Sequence, residues 1–355
     1  MEKIILTIAI FSFTFFWGCD KKHLPDDVKS VHHKDFKNVY NLEKGSTLNL
    51  GLITRMAFIT PLKDYIVIHD LYSNEKGIYI VDKNTLELLK NTGKVGKGPH
   101  EIGRYGNIFA DYNKNVFYLA DFGKNKIWEF NIDNLLSKPD YNPKEITDFM
   151  FYPGIWPLDF IMKNDSLYFL TENNSFVAKV VTKDSIQFIS NQKNTIIPVS
   201  LKNKSGEVYS TRVAYKSSDL KYAFAFRYSE TISITDSSFI PEINIYGNGK
   251  TYFGEEKFKD IIYYSHVKAD DQFIYAGFMN KPIQKEDREY GNHQANYPQS
   301  IRVFNWEGKP VLELKSKNPF SDYYVDRENS IVILFLTNKE NPIIVYDVDF
   351  NNLLQ

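Results

Sequence analysis

The chain has 355 residues, with 43 Lys or Arg against 44 Asp or Glu and a formal charge of −1, so no basic excess marks a nucleic-acid surface. It is 43% hydrophobic with 27 Phe and 24 Tyr, and Ile, Val, Tyr and Phe outweigh Ala-Glu-Leu blocks, the balance of strands rather than helices. Its single cysteine excludes an internal disulfide framework.

The first nineteen residues, MEKIILTIAIFSFTFFWGC, place Lys3 ahead of an apolar run from Ile4 to Trp17. That run is shorter than the about 20 helical residues a hydrocarbon core requires, and it has the form of a secretory h-region. No second long apolar run follows, so the mature chain has no predicted membrane span. The run ends in Gly18-Cys19, which resembles the lipobox of bacterial lipoproteins, although Phe16 and Trp17 depart from its aliphatic-then-small pattern. The resemblance implies a diacylglycerol on Cys19, export, and a place at the outer membrane or cell surface. The competing reading is a plain cleaved signal with an incidental cysteine.

Residues 20–46 are polar and charged, and they are predicted to tether the anchor to the domain. His32 and His33 fall here. Neighbouring side chains of an extended segment point in opposite directions, and no further His or Cys lies at ligand spacing, so they are read as solvated rather than metal-binding.

Residues 47–355 are predicted to form one domain. A unit recurs in it: a short apolar run, a polar turn rich in Asn, Lys and Gly, then a second apolar run. The copies begin at Tyr65 (YIVIHDLYSNEKGIYIVD), Val116, Leu167, Tyr222, Phe273 and Ile331, separated by 51, 51, 55, 51 and 58 residues. Such a period matches a four-stranded propeller blade. Each first run is nearly continuous apolar residues, as in Tyr65-Ile66-Val67-Ile68, the pattern of a strand buried on both faces and here read as the inner strand of a blade. The sixth copy supplies strands at about 331–337 and 342–348, while TLNLGLITRMAFIT, at about 47–60, reads as two short strands before the first copy. The expectation is an all-β, six-bladed β-propeller of four-stranded antiparallel blades, with N-terminal strands completing the last blade so that no sheet edge is left to pair with other chains.

Three segments carry a family resemblance. GKGPHEI at 96–102 is similar to a G-x-G-P-x-E-F element, with Ile102 in place of the aromatic. DFGKNKIWEF at 121–130 resembles the D-x-x-N-x-I-x-x-F of an NHL blade. IRVFNWEGKPV at 301–311 resembles a late-blade V-F-D-W-x-G-K element, with Asn305 where aspartate is usual. Together they look like the TolB-like and NHL-like six-bladed propeller lipoproteins of Bacteroidetes. The resemblance implies blade construction and surface or periplasmic binding, and no particular chemistry.

Aligned copies place Asp70, Asp121, Glu172, Arg227 and Phe278 at one position, expected around a mouth of the central channel. Three carboxylates so placed can hold calcium through oxygen ligands, as in some propeller hydrolases and lactonases. Against this, Asp favours hydrogen bonds to the turn that follows it, and Arg227 would repel a cation, so no metal ligand is assigned. The fifth copy replaces its turn with residues 280–299, which carry Tyr290, Asn292, His293, Asn296 and Tyr297 and must emerge on the face of Asp70 and Asp121. Loops of this length are often functional, and these side chains suit stacking and hydrogen bonding to a sugar or peptide. The glycine-rich 96–103 lacks the Lys-Ser/Thr of a P-loop and reads as a tight loop. His69 is the one general-base candidate, read as a packed histidine.

The sequence thus predicts a lipid-anchored binding module, non-enzymatic, for a glycan, a peptide or an outer-membrane partner protein, without nucleic acid and with no required cofactor. A calcium-dependent hydrolase or lactonase at the channel mouth is the alternative. Oligomeric state is not legible.

Overall fold

A computed structural model describes residues 29–32, 36–51, 57–111, 115–148, 157–163, 166–171, 177–182, 185–188, 211–216, 218–227, 229–247, 261–282, 297–337 and 342–354. Three short strands come first: β1 (Lys29–His32), β2 (Val39–Leu42) and β3 (Gly45–Thr47). The repeats then supply strands in fours. These are β4 (Ala57–Pro61), β5 (Tyr65–Asp70), β6 (Lys76–Asp82) and β7 (Leu88–Lys94); then β8 (Tyr105–Asp111), β9 (Val116–Asp121), β10 (Lys126–Asn131) and β11 (Lys144–Asp148). The third set is β12 (Pro157–Lys163), β13 (Ser166–Thr171), β14 (Val177–Thr182) and β15 (Ser185–Phe188). The fourth is β16 (Thr211–Lys216), β17 (Lys221–Phe226), β18 (Thr231–Thr235) and β19 (Pro241–Tyr246). The fifth is β20 (Ile261–Ala269), β21 (Phe273–Pro282), β22 (Ser300–Asn305) and β23 (Pro310–Ser316), and the chain ends with β24 (Phe320–Asp326), β25 (Ile331–Leu336) and β26 (Ile343–Asp347).

The described strands fall into six sheets, each built on the meander of one repeat, with β1, β2 and β3 added at the edges of three of them. The first strands β4, β8, β12, β16 and β20 each pack beside the next, β20 is hydrogen-bonded to β24 through Lys268–Asp322 and Tyr323–His266, and β24 packs beside β4. The protein is therefore an all-β propeller of four-stranded antiparallel blades, with those strands around its axis.

Cores lie between neighbouring sheets, as face-to-face packing requires. Val67, Ile78 and Ile80 of one sheet meet Phe117, Leu119, Trp128 and Phe130 of the next, and Phe117 stacks on Phe130 at 4.7 Å. Ile59, Ile66 and Ile68 meet Ile333 and Phe335 across the junction between the first and last sheets. Each such side chain contributes about 1.5–3 kcal/mol on burial, which is why β9 and β25 are buried at every position.

Three expectations are corrected. The apolar runs that head the sequence copies are the second strands, β5, β9, β13, β17, β21 and β25, and not the inner ones. The inner strands spend some positions on polar side chains facing the axis, as in FSDYYVD of β24 and IIYYSHVKA of β20, so their apolar signal is weaker. The phase of the repeat was thus displaced by one strand. The last sheet accordingly takes one N-terminal strand rather than two: β3 pairs antiparallel with β26, Ser46 opposite Val345, while β4 is the first strand of its own sheet.

The segment expected as a tether, 20–46, is also not free along its length. β1 adds parallel to β19 and β2 adds parallel to β23. Edge pairing of this kind uses backbone groups and leaves little pattern in the side chains. The anchoring side chains are few: Leu42 is 4% exposed, and Phe36 packs edge-on against Phe304 at 5.2 Å and against the Arg302 guanidinium at 5.2 Å. Residues 1–28, with Cys19, lie outside the described residues.

Candidate functional site

Turns from second to third strands share one face of the propeller, and the predicted ligand residues were expected there. Asp121, at the end of β9, is fully buried. Its carboxylate accepts the backbone N–H groups of Gly103 (2.9 Å), Arg104 (2.9 Å), Gly123 (2.9 Å) and Lys124 (3.1 Å), and the Trp128 indole N–H at 3.2 Å. Five donors occupy a group that offers about four lone-pair positions, so this carboxylate welds the 96–103 loop to its own turn. Asp70 at the end of β5 is also fully buried, and its Oδ1 accepts the Tyr72 N–H at 3.0 Å. In the glycine-rich loop, Glu101 accepts the Gly98 N–H at 2.7 Å and pairs with Lys94 at 2.6 Å. The Lys124 ammonium donates to the Gly98 and Glu101 carbonyls.

Among the described residues, no three His, Cys, Asp or Glu side chains gather to hold a metal ion. Glu172, Tyr290, Asn292, His293 and Asn296 lie outside the described residues. The feet of the 280–299 insertion are described, with Lys281 Nζ donating to Gln299 Oε1 at 2.8 Å and Gln299 Nε2 to the Lys317 carbonyl at 3.2 Å. Tyr297 stands at that foot, half-buried, and its hydroxyl pKa is raised by burial and by Tyr72 and opposed by Arg227. Tyr72 is 60% exposed, and Arg227 is half-buried in the turn after β17, its carbonyl accepting the Tyr263 N–H at 2.8 Å. Tyr72 and Arg227 are thus near enough to Tyr297 to act on its hydroxyl electrostatically.

A second site lies on the axis. A cavity of about 160 Å³ is walled by Phe58 to Pro61, His69, Asn107 to Ala110, Asp159, Ile161, Arg212 to Tyr215, His266 to Ala269 and Asp322. Pro61, Tyr215 and Ala269 also line a wider depression of about 510 Å³ with Lys83, Asp270 and Arg327. Pro61 ends β4 opposite Ile66, whereas Ala57 at the other end of β4 pairs with Asp70. The cavity therefore leads toward the face opposite the insertion.

At its wall, Lys268 Nζ lies 2.8 Å from Asp322 Oδ2 and also donates to the Ile59 carbonyl. The Ile59 N–H donates to the same Asp322 oxygen at 2.6 Å. Asp322 is 2% exposed; burial lowers the Lys268 pKa, and Asp322 opposes that shift. Tyr323 Oη donates to the His266 carbonyl at 3.0 Å and the Tyr275 carbonyl at 2.7 Å, fixing β20 against β24. Asp159 Oδ2 accepts the Val213 N–H at 3.3 Å.

Two imidazoles flank Phe58, with ring centres 5.2 Å away for His69 and 5.3 Å for His266. Burial pushes the His69 pKa down to about 4, opposed chiefly by Asp322. Burial pushes His266 down to about 3, with Asp322 opposing and Arg212, Lys268 and Arg227 adding to the fall. Both rings are neutral at pH 7. Neither His69 nitrogen nor His266 Nδ1 has a hydrogen-bond partner among the described residues, and neither does Asp322 Oδ1. One His69 nitrogen leans toward the Gly106 backbone without closing hydrogen-bond geometry.

The sequence reading set His69 aside and missed the rest of this group. A signal existed in the strand register. Asp159 stands opposite Leu170 and Arg212 opposite Ala225, where other blades place Ile59 opposite Ile68 and Ile108 opposite Leu119. A charge at a position that Ile59, Ile108 and Val267 fill with aliphatic side chains on other inner strands marks the axis, once the phase of the repeat is right.

No family model and no curated relative matches the chain. Solved structures do. A Bacteroides fragilis protein classed as exported is 13% identical with a TM-score of 0.55, covering 89% of this chain and 98% of its own. A member of the DUF4221 family from Bacteroides vulgatus is 11% identical with a TM-score of 0.57, covering 87% and 94%. At such identities the likeness is one of fold.

Proposed function

We propose that the chain is an exported, lipid-anchored, six-bladed propeller of the TolB-like kind. It serves as a binding module for an extracellular glycan, peptide or partner protein and carries no catalysis of its own. The ligand meets the face bearing the 280–299 insertion. The observation that carries this reading is the foot of that insertion, pinned by Lys281 and Gln299, where the half-buried Tyr297 lies within electrostatic reach of Tyr72 and Arg227. Two aromatic rings beside a guanidinium provide stacking surface and directed hydrogen bonds, the combination that dominates recognition sites. The anchor is Cys19, on the strength of the Gly18-Cys19 lipobox resemblance; a Bacteroides fragilis protein of like fold is classed as exported, which supports export alone. The calcium-dependent alternative has less support, because Asp121 is fully taken up by backbone donors.

The test is a screen of immobilised glycans and surface peptides with the purified full-length chain, followed by Tyr290→Ala combined with Tyr297→Ala. Affinity for the ligand found should fall at least tenfold with the melting temperature unchanged. Unaltered affinity would remove the site from this face. Cys19→Ala should abolish incorporation of labelled fatty acid, and persistence of the label would refute the anchor.

A further inference from the structure

We propose that the axial pocket is a second binding site, which takes one uncharged, hydroxyl-bearing ring, a single sugar unit or a cyclic polyol, from the face opposite the insertion. Three residues of the pocket wall carry polar atoms with no hydrogen-bond partner among the described residues: His69 at both nitrogens, one of them leaning toward the Gly106 backbone, His266 at Nδ1 and Asp322 at Oδ1. His69 is 1% exposed and Asp322 2%, so bulk water does not satisfy them, and a buried polar group without a partner is destabilising. Four such atoms around one cavity call for an occupant with matching groups.

The chemistry of those atoms selects the occupant. Asp322 Oδ1 can only accept, while each neutral imidazole offers one donor and one acceptor. Lys268 has used two of its three N–H bonds, on Asp322 and the Ile59 carbonyl. A hydroxyl both donates and accepts, so neighbouring hydroxyls on one ring can satisfy this mixed set. A carboxylate or phosphate brings acceptors alone and would face Asp322 Oδ1 with like charge, and an ammonium brings donors alone. The wall is also balanced in charge, Arg212 and Lys268 against Asp159 and Asp322, and it therefore selects for neither ion. Phe58 and Tyr215 supply aromatic walls for the C–H bonds of a sugar. At about 160 Å³, the space is smaller than the about 300–1,000 Å³ of drug-sized sites, which fits one ring and not a chain.

The experiment is calorimetric titration of the full-length protein in detergent with glucose, galactose, mannose, N-acetylglucosamine and myo-inositol, alongside glucuronate and galacturonate. At least one neutral ring should bind at one site per chain, at least tenfold more tightly than its uronate. His266→Phe and Asp322→Asn should each weaken binding at least tenfold, and Tyr72→Ala and Tyr297→Ala should leave it unchanged. His266→Phe keeps the test decisive if loss of the Asp322 charge impairs folding. The proposal is overturned if no neutral ring binds, which would mean a pocket filled by water only. It is equally overturned if a uronate binds more tightly, or if the His266 variant binds like the parent. Because the tyrosine variants report on the insertion face and the His266 variant on the axis, either site can fail without the other.

Discussion

Lys268 and Asp322, 54 residues apart, meet at 2.8 Å on the propeller axis, and both also hold the backbone of Ile59. β20, β24 and β4 are thereby joined at one point, and β4 and β24 are the strands that close the ring.

This junction predicts a strong response to Asp322→Ala. The change would leave the Lys268 charge at a site where its side chain is only 16% exposed, and would orphan the Ile59 N–H. Breaking a buried pair costs about 3–5 kcal/mol, and the residual exposure of Lys268 reduces this to roughly 2–4 kcal/mol. Urea unfolding should show a lower midpoint with an unchanged slope. The double change Asp322→Leu with Lys268→Met should recover much of the loss.

Acid should destabilise the protein well above the range of ordinary carboxylates. His69 and His266 have folded-state pKa values of about 4 and about 3, below the 6.5 of an unfolded histidine. Between these limits the unfolded chain binds more protons, so stability is full above pH 6.5 and is lost as pH falls. At the limit His69 accounts for roughly 3 kcal/mol and His266 for roughly 5 kcal/mol. Asp322 acts against the shift of both rings, Lys268 deepens it for both, and Arg212 and Arg227 deepen it for His266. Denaturation midpoints at pH 7.5 and 5.0 should differ clearly in the parent, and much less in a variant carrying His69→Phe and His266→Gln. An equal slope in both would show that other groups control it.

Gly45 tests how the last sheet is completed. A Cβ there would lie 2.3 Å from Ile344 Cγ2 and 2.9 Å from Tyr346 Cε1. Gly45→Val should therefore loosen β3 from β26 at a cost of about 1–3 kcal/mol. Hydrogen exchange should accelerate at residues 343–347 and stay unchanged in β9. The newly bare edge should also promote self-association, visible by light scattering.

Asp121→Ala should be among the more damaging single changes outside the axis, because it leaves four backbone N–H groups and an indole N–H without their acceptor. A loss of at least about 3 kcal/mol is expected. Since those donors already occupy the carboxylate, adding millimolar calcium to the parent should leave its melting temperature unchanged. A rise would return the turn carboxylates to consideration as ligands.

The blade repeat was legible because second strands are buried on both sides, and continuous apolar runs such as Ile66-Val67-Ile68 record that burial directly. The innermost strands were harder. His266 and Lys268 break the apolar run of β20, and Asp322 breaks that of β24, because the axis gives those side chains something other than a hydrophobic neighbour. The axial group was illegible for a related reason: Asp159, Arg212, His266 and Asp322 come from four strands, with no local spacing to join them. β1 and β2 escaped notice because parallel edge pairing depends on backbone groups, and Lys-Ser-Val-His carries no strand pattern of its own.

The pairing of β3 with β26, together with the bond from Ile59 to Asp322, ties closure to the order of synthesis. Residues 45–61 are synthesised long before the partners that fix them, Asp322 and Ile343–Asp347. Contacts of such long range are slow to form and leave intermediates exposed. A nascent chain stalled before these residues holds an open ring with its first strands unclaimed. Until those late strands arrive, the edge of β3 and the backbone of Ile59 have no partner to hold them, so ring closure joins the two ends of the domain in one cooperative step.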